Sequence, residues 1–124
     1  MPVVVLDGFD ADAANAAIDE RGATLVSAVA DMLRRMLEAR GDRPFPPSLR
    51  RVLLGGGPSP AALLDECTHR GVPVACTYGL TEACSQVATQ APGAAPGRSC
   101  GPPLAVTEVR VERTGRAARA GEEG

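Results

Sequence analysis

The chain contains no lysine: all thirteen of its basic residues are arginine. That absence excludes any chemistry on these residues that needs a lysine amine, whether Schiff base, phosphate-binding ammonium or catalytic cation. Histidine occurs once, at His69, so no metal site here can rest on two histidines. The four cysteines, Cys67, Cys76, Cys84 and Cys100, form no C-x-x-C pair, the spacing most typical of zinc. Cys67 and His69 could still offer ligands beside Cys76 and Cys84, but small buried thiols are the simpler reading. Long apolar runs are missing too. Val3 to Leu6 is far too short for a membrane span or a secretory signal, and no basic segment precedes it. The chain therefore reads as cytosolic, with reduced thiols. A net charge of −2 gives no drive toward nucleic acid or acidic membranes.

What is present is the composition of one globular domain. The 124 residues are 44% hydrophobic and 23% charged, long enough to bury a core. Four short Val- and Leu-rich runs, Val3 to Leu6, Leu25-Val26, Val52 to Leu54 and Val72 to Cys76, lack strict alternation, which predicts strands of a parallel sheet covered on both faces. Helical spacing separates them: Ala14, Ala17 and Ile18 after a capping Asp10 or Asp12; Val29, Met32, Leu33, Met36 and Leu37; and Leu63, Leu64 and Cys67 after Pro60. Arg21-Gly22, Arg40-Gly41 and Arg70-Gly71 each place a cation and then a glycine where a helix should stop. The expected fold class is α/β, a parallel sheet with flanking helices. From about residue 91 prolines and glycines crowd the chain, and then Thr107, Val109 and Val111 alternate with Glu108, Arg110 and Glu112. That alternation predicts a half-exposed antiparallel strand, with a turn at Thr114-Gly115 and a polar stretch from Arg116 to Gly124.

Two loops carry candidate chemistry. Leu54-Gly55-Gly56-Gly57-Pro58-Ser59-Pro60 joins a strand to a helix, where glycine lets backbone approach a ligand and a helix start offers free N–H groups. It matches neither a P-loop nor a dinucleotide fingerprint, and a tight turn explains it as well. Thr77-Tyr78-Gly79-Leu80-Thr81-Glu82 follows the next strand, at the same carboxyl edge of the sheet, where ligands of open α/β sheets gather. Tyr78 offers a flat face for a base, Thr81 a hydroxyl for a phosphate oxygen, and Glu82 a hard carboxylate for Mg²⁺. Alternatively Thr81 caps a helix that starts near Glu82, and Tyr78 belongs to the core.

Gly55-Gly56-Gly57-Pro58 followed by Tyr78-Gly79-Leu80-Thr81-Glu82 closely resembles the adenylate-forming acyl-CoA ligase superfamily. Ser48 to Pro58, Tyr78 to Gln86, the Met32 to Leu37 helix and Gly97 to Pro103 look most like its o-succinylbenzoate–CoA ligase branch, in menaquinone synthesis. The resemblance implies an AMP-forming reaction with ATP, Mg²⁺ and CoA, acting on a small-molecule carboxylate through an acyl-adenylate. It implies that Gly56 and Gly57 border the adenine, that Cys76, Thr77 and Tyr78 line the base, and that Thr81 contacts phosphate while Glu82 holds Mg²⁺. Ser27, Ser85 and Gln86 would then lie near the acyl group; otherwise Ser27 is a helix cap, and Ser85 and Gln86 face solvent. It further implies a β/α portion of the AMP-binding domain at 1–91, a Pro/Gly-rich connection at 92–104, and the start of a β subdomain at 105–124, where Gly121-Glu122-Glu123-Gly124 resembles the approach to a further strand. The family's lysine-bearing phosphate loop, Thr-Gly-Asp motif and catalytic C-terminal lysine have no counterpart among these residues. The chain is therefore expected to be a middle slice of the large N-terminal domain, inactive in isolation, and prone to self-association through uncovered apolar faces. The competing expectation is a non-catalytic α/β module that binds a nucleotide or a partner.

Overall fold

A computed structural model describes residues 2–94, 96–97 and 99–118. Three α-helices, α1 (Ala11–Asp19), α2 (Ala30–Arg40) and α3 (Ala61–His69), alternate with the strands β1 (Leu25–Ala28), β2 (Arg51–Leu54) and β3 (Val74–Leu80). A single 3₁₀ turn (Thr81–Ala83) follows, then β4 (Ser85–Thr89), and the short strands β5 (Glu112–Arg113) and β6 (Arg116–Ala117). The main sheet has the order β1-β2-β3-β4, with β1, β2 and β3 parallel and β4 antiparallel to β3. The α/β class with flanking helices is what the apolar runs and helical spacings require.

Local chemistry sets the helix ends. The Asp10 carboxylate accepts the Ala13 N–H at 2.7 Å and so caps α1. Gly22, Gly41 and Gly71 all take positive φ just beyond the three helices, the left-handed exit that the sequence anticipates. Arg21 lies outside the last turn of α1, so the cation half of that stop signal fails there. Arg40 is in the last turn of α2, but it is buried, and its role is larger than opposing a dipole.

The Arg40 guanidinium donates to Asp19 at 2.6 and 3.1 Å, to Asn15 Oδ1 at 3.2 Å and to the Pro44 carbonyl at 2.8 Å, and lies over the Phe45 ring. Asn15 in turn donates to the Met36 carbonyl at 3.0 Å. This network fastens α1 to α2. The apolar core beside it joins Ile18, Leu33, Met36, Leu37, Leu63, Leu64 and Cys67 of the helices to Ala28, Val52, Leu54, Val74 and Cys76 of the strands.

Several expected elements differ. Because the parallel strands add in chain order, right-handed crossovers bring α2 and α3 to one face of the sheet. The register confirms it: Val52 pairs with Val74, and Leu54 with Ala28 and Cys76, so the core residues stand on one side. On the other side cover is uneven: Leu25 is 47% exposed there, whereas Ala75 is buried. Val3 to Leu6 is no strand, since it finds no neighbour in the sheet, and Val3 and Val5 point outward. Thr107 to Val111 does not form the expected strand: only Glu112–Arg113 is extended and paired, turning at Thr114-Gly115 to meet Arg116–Ala117, with the Ala118 N–H donating to the Val111 carbonyl at 2.8 Å just beyond. The turn itself is as expected, with positive φ at both central residues. The helix envisaged from Glu82 is one 3₁₀ turn, after which Ser85–Thr89 doubles back as a strand. Gly121 to Gly124 and the end of the polar stretch lie outside the described residues.

Candidate functional site

Parallel pairing aligns the carboxyl ends of β1, β2 and β3 along one edge of the sheet. Ser27 stands near the end of β1, Gly55 to Gly57 leave β2, and the outer half of β3 runs on to Thr81. A cleft of about 480 Å³ opens between them, and Ser27, Gly56, Thr77, Thr81, Ser85 and Gln86 all line it. Its apolar wall comes from Val29 and Met32, one turn apart at the start of α2, and from Leu53 of β2. The glycine turn is seated directly on this wall: Gly56 has φ +82°, and a Cβ there would stand 2.9 Å from Val29 Cγ1.

The β3–β4 hairpin brings Ser85 and Gln86 back into the cleft. Pairing of Gly79 with Gln86 follows a register shift between Tyr78 and Gly79, and the Ser85 carbonyl fills the space where a side chain at residue 79 would begin. Cys84 and Ser85 complete the reversal with φ of 58° and 141°, which side-chain-bearing residues rarely adopt. Thr77 locks the hairpin at its base. Its hydroxyl lies 2.9 Å from the Ala88 carbonyl and 2.9 Å from Thr89 Oγ1.

A second cleft, of about 620 Å³, lies on the helix-facing side of the same edge. Gly57, Pro58, Cys76, Thr77, Gly97 and Cys100 are among its walls, so Thr77 borders both spaces. Burial pushes the Cys76 thiol upward, partly offset by the Gly97 N–H that it accepts, so the thiol stays protonated at neutral pH. Deeper in the core, burial raises the Cys67 thiol to about 11.

The expected site residues thus divide. Ser27, Gly56, Thr81, Ser85 and Gln86 meet in the first cleft, Gly57 and Cys76 in the second, and Thr77 in both. Tyr78 is 51% exposed and borders neither, so it is not the core residue of the alternative reading. Glu82 is also exposed and borders neither, and it makes no ion pair among the described residues. Ser27 does not cap α2; Val29 occupies that position, with no side-chain cap bond. Sequence reasoning missed Met32 and Leu53 as lining residues because their apolar spacing signals core as readily as cleft. It missed Gly97 and Cys100 as well, because a Pro/Gly-rich segment reads as a connector. No group of three or more His, Cys, Asp or Glu gathers among the described residues.

Comparison with known proteins bears on this edge. The model of the AMP-binding enzyme family matches residues 1–124. The 2-succinylbenzoate–CoA ligase of Geobacillus sp. (strain WCH70) is 42% identical over 126 aligned residues, covering 100% of this chain and 26% of that relative. Among solved structures, o-succinylbenzoate CoA synthetase from Bacillus subtilis in complex with ATP and magnesium ion superposes with a TM-score of 0.81 at 40% identity, covering 92% of this chain and 24% of that one. The same enzyme in complex with the acyl-adenylate intermediate OSB-AMP gives 0.80 at 39%, with the same coverage. The chain spans about a quarter of the length of these proteins.

Proposed function

Because the chain belongs to the AMP-binding enzyme family along its whole length, we propose that it supplies the nucleotide and acyl walls of an ATP-dependent, AMP-forming carboxylate–CoA ligase, with o-succinylbenzoate as the carboxylate. The observation that carries this reading is the meeting of Ser27, Gly56, Thr77, Thr81, Ser85 and Gln86 in one cleft at the carboxyl edge of the sheet. Two spaces flank that edge, and an acyl-adenylate has two bulky parts. In this reading the adenine lies against Gly57, Cys76 and Thr77, with Tyr78 closing over it, and the acyl group enters the 480 Å³ cleft. There the aromatic body meets Val29, Met32 and Leu53, while Ser27, Ser85 and Gln86 hydrogen-bond its polar end. The phosphate joining the two parts passes the Thr81 hydroxyl.

Glu82 fits a magnesium ion carried by a nucleotide. Such an ion keeps most of its coordination in phosphate and water and needs only one or two carboxylates, and Glu82 presents one that is exposed and unpaired among the described residues. When bound, the ion offsets charge developing on the phosphoryl oxygens. The chain's own part is positional: Thr81 and Glu82 orient the α-phosphate, and the apolar wall holds the carboxylate in line with it. CoA thiol then displaces AMP. Within the same reading residues 1–91 form the nucleotide-binding portion, 92–104 the connection and 105–124 the opening of a β subdomain. It also makes the chain a cytoplasmic one and includes self-association through exposed Val3 and Val5.

Glu82→Gln in a full-length ligase carrying this segment tests the proposal. ATP–pyrophosphate exchange with o-succinylbenzoate should fall on the order of a hundredfold, the loss that follows removal of one group stabilising transition-state charge, with an unchanged melting temperature. A lowered melting temperature with near-normal exchange would make Glu82 structural and favour a non-catalytic binding module.

A further inference from the structure

Gln90 lies beyond the end of β4, is 9% exposed and belongs to neither cleft. Antiparallel pairing of β3 with β4 sets Thr77 opposite Thr89, so Cys76 and Gln90 would form the next pair. Half of that pair is ordinary ladder: the Gln90 N–H donates to the Cys76 carbonyl at 3.1 Å. The other half is not. The Cys76 N–H donates at 2.8 Å to the side-chain oxygen Oε1 of Gln90, where a regular ladder would use the main-chain carbonyl. An amide side chain thus stands in for its own backbone, and the buried Cys76 N–H stays satisfied although the main chain has turned away.

The turning chain supplies the outer wall of the second cleft. Pro96, Gly97 and Cys100 reach it, and the Gly97 N–H donates to the Cys76 thiol. The return is tight. Gly101 has φ +82°, and a Cβ there would sit 2.6 Å from the Thr89 carbonyl and 2.7 Å from Gln90 Cα. Cys76 is therefore gripped at its N–H, its carbonyl and its sulfur, two of the three by Gln90.

We infer that Gln90 is a positioning residue for the nucleotide cleft: by replacing its own carbonyl in the ladder, it lets the chain leave the sheet where Pro96, Gly97 and Cys100 can wall in the base, and it fixes Cys76 as the floor. The inference rests on the assignment of the adenine to the second cleft. It predicts that removing the Gln90 carbonyl loosens nucleotide binding without disturbing the α1–α2 core or the first cleft.

Gln90→Met keeps the length and apolar volume of the side chain and deletes the acceptor. In the full chain, three measurements are read together: amide exchange at Cys76, iodoacetamide labelling of Cys76 and Cys100 with and without MgATP, and the MgATP dissociation constant by calorimetry. The variant should exchange at Cys76 about tenfold faster and bind MgATP about fivefold to tenfold more weakly, the scale of one lost hydrogen bond in a buried site. Exchange within α2 should be unchanged, which certifies a folded variant. Unchanged exchange at Cys76 in that folded variant would overturn the role given to Gln90. MgATP that binds wild type yet leaves Cys76 and Cys100 fully labelled would instead overturn the placement of the nucleotide. Failure of wild type to bind MgATP would overturn it too, and the exchange result would still decide whether Gln90 holds Cys76. A Gly101→Ala variant, which drives the returning segment off Gln90, should reproduce the loosening at Cys76 with the Gln90 side chain intact.

Discussion

Single side chains do more in this chain than their exposure suggests, and Arg40 shows why. Its guanidinium is buried, yet every direction it can donate is used, by Asp19, Asn15 and the carbonyls of Arg43 and Pro44. Replacing it with Met leaves Asn15 Oδ1 and two carbonyls without that donor, so Arg40→Met should cost about 2 kcal/mol in denaturant unfolding, below the 3–5 kcal/mol of a fully buried pair because Asp19 reaches solvent. The Arg40 hydrogen bond holds the Asp19 carboxyl below its usual value. Its stabilisation is therefore fully present above the unfolded pKa of 3.8 and is lost as pH falls below it, through the lower folded value. A pH series of urea midpoints should show an acid loss in wild type that is reduced in Asp19→Asn; parallel curves for the two would refute the linkage. None of this was legible in the sequence, where Arg40-Gly41 looks like an ordinary helix stop. Nothing local in Arg40 signals that Asn15 and Asp19, a helix away, will meet it. The position of the two candidate segments was easier to read, because Gly55–Pro58 leaves the carboxyl end of β2 and Tyr78–Glu82 spans the carboxyl end of β3, so both lie on one edge. What spacing could not tell was that Tyr78 and Glu82 would stand outside both clefts while Met32 and Leu53 stood inside.

At the scale of elements, the β3–β4 hairpin decides whether the first cleft exists. Without it Ser85 and Gln86 would not return to face Ser27, and the first cleft would have no outer rim. The return depends on Gly79, whose missing side chain admits the Ser85 carbonyl and leaves a Cβ only 3.1 Å from Gln86 Cα. Gly79→Ala should force the strands apart, at about 1–3 kcal/mol of stability as for other overpacked sites, and should abolish protection of the β4 amides while leaving α1 and α2 protected. Residue-resolved hydrogen exchange separates this from global unfolding; retained β4 protection would show that the register shift adapts. The hairpin was hidden in the sequence because its turn is built on Cys84 and Ser85 at positive φ, with none of the glycine or asparagine that usually marks such backbone. Thr81-Glu82 moreover reads as a helix start. The helices were legible because three apolar stripes and three closing glycines agree with one another. Val3 to Leu6 misled for the opposite reason: β-rich composition marks a segment able to pair, and pairing also needs a neighbour.

Over the whole molecule, open backbone at one sheet edge coincides with part of the exposed apolar surface. β1 ends the sheet with an unpaired edge, Leu25 is 47% exposed along it, and Val3 and Val5 nearby are 76% and 82% exposed. An unpaired edge beside bare valines is a template for another strand, and charged side chains that commonly guard such edges are absent from Leu25 to Ala28. A net charge of −2 opposes association only weakly. The chain should therefore self-associate in a concentration-dependent way. Light scattering coupled to size exclusion should give a mass that rises above 12.7 kDa as the loaded concentration increases. Leu25→Lys with Val5→Glu places charges on the edge and on the exposed run without touching either cleft residue set beyond the rim, so the double variant should return the mass to that of one chain while the core melts at a similar temperature. A constant monomeric mass in wild type would show that Val3 to Leu6 already shields the edge. Association that survives the double variant would move the contact to the exposed apolar residues beyond the Pro/Gly segment, among them Val106, Val109 and Val111.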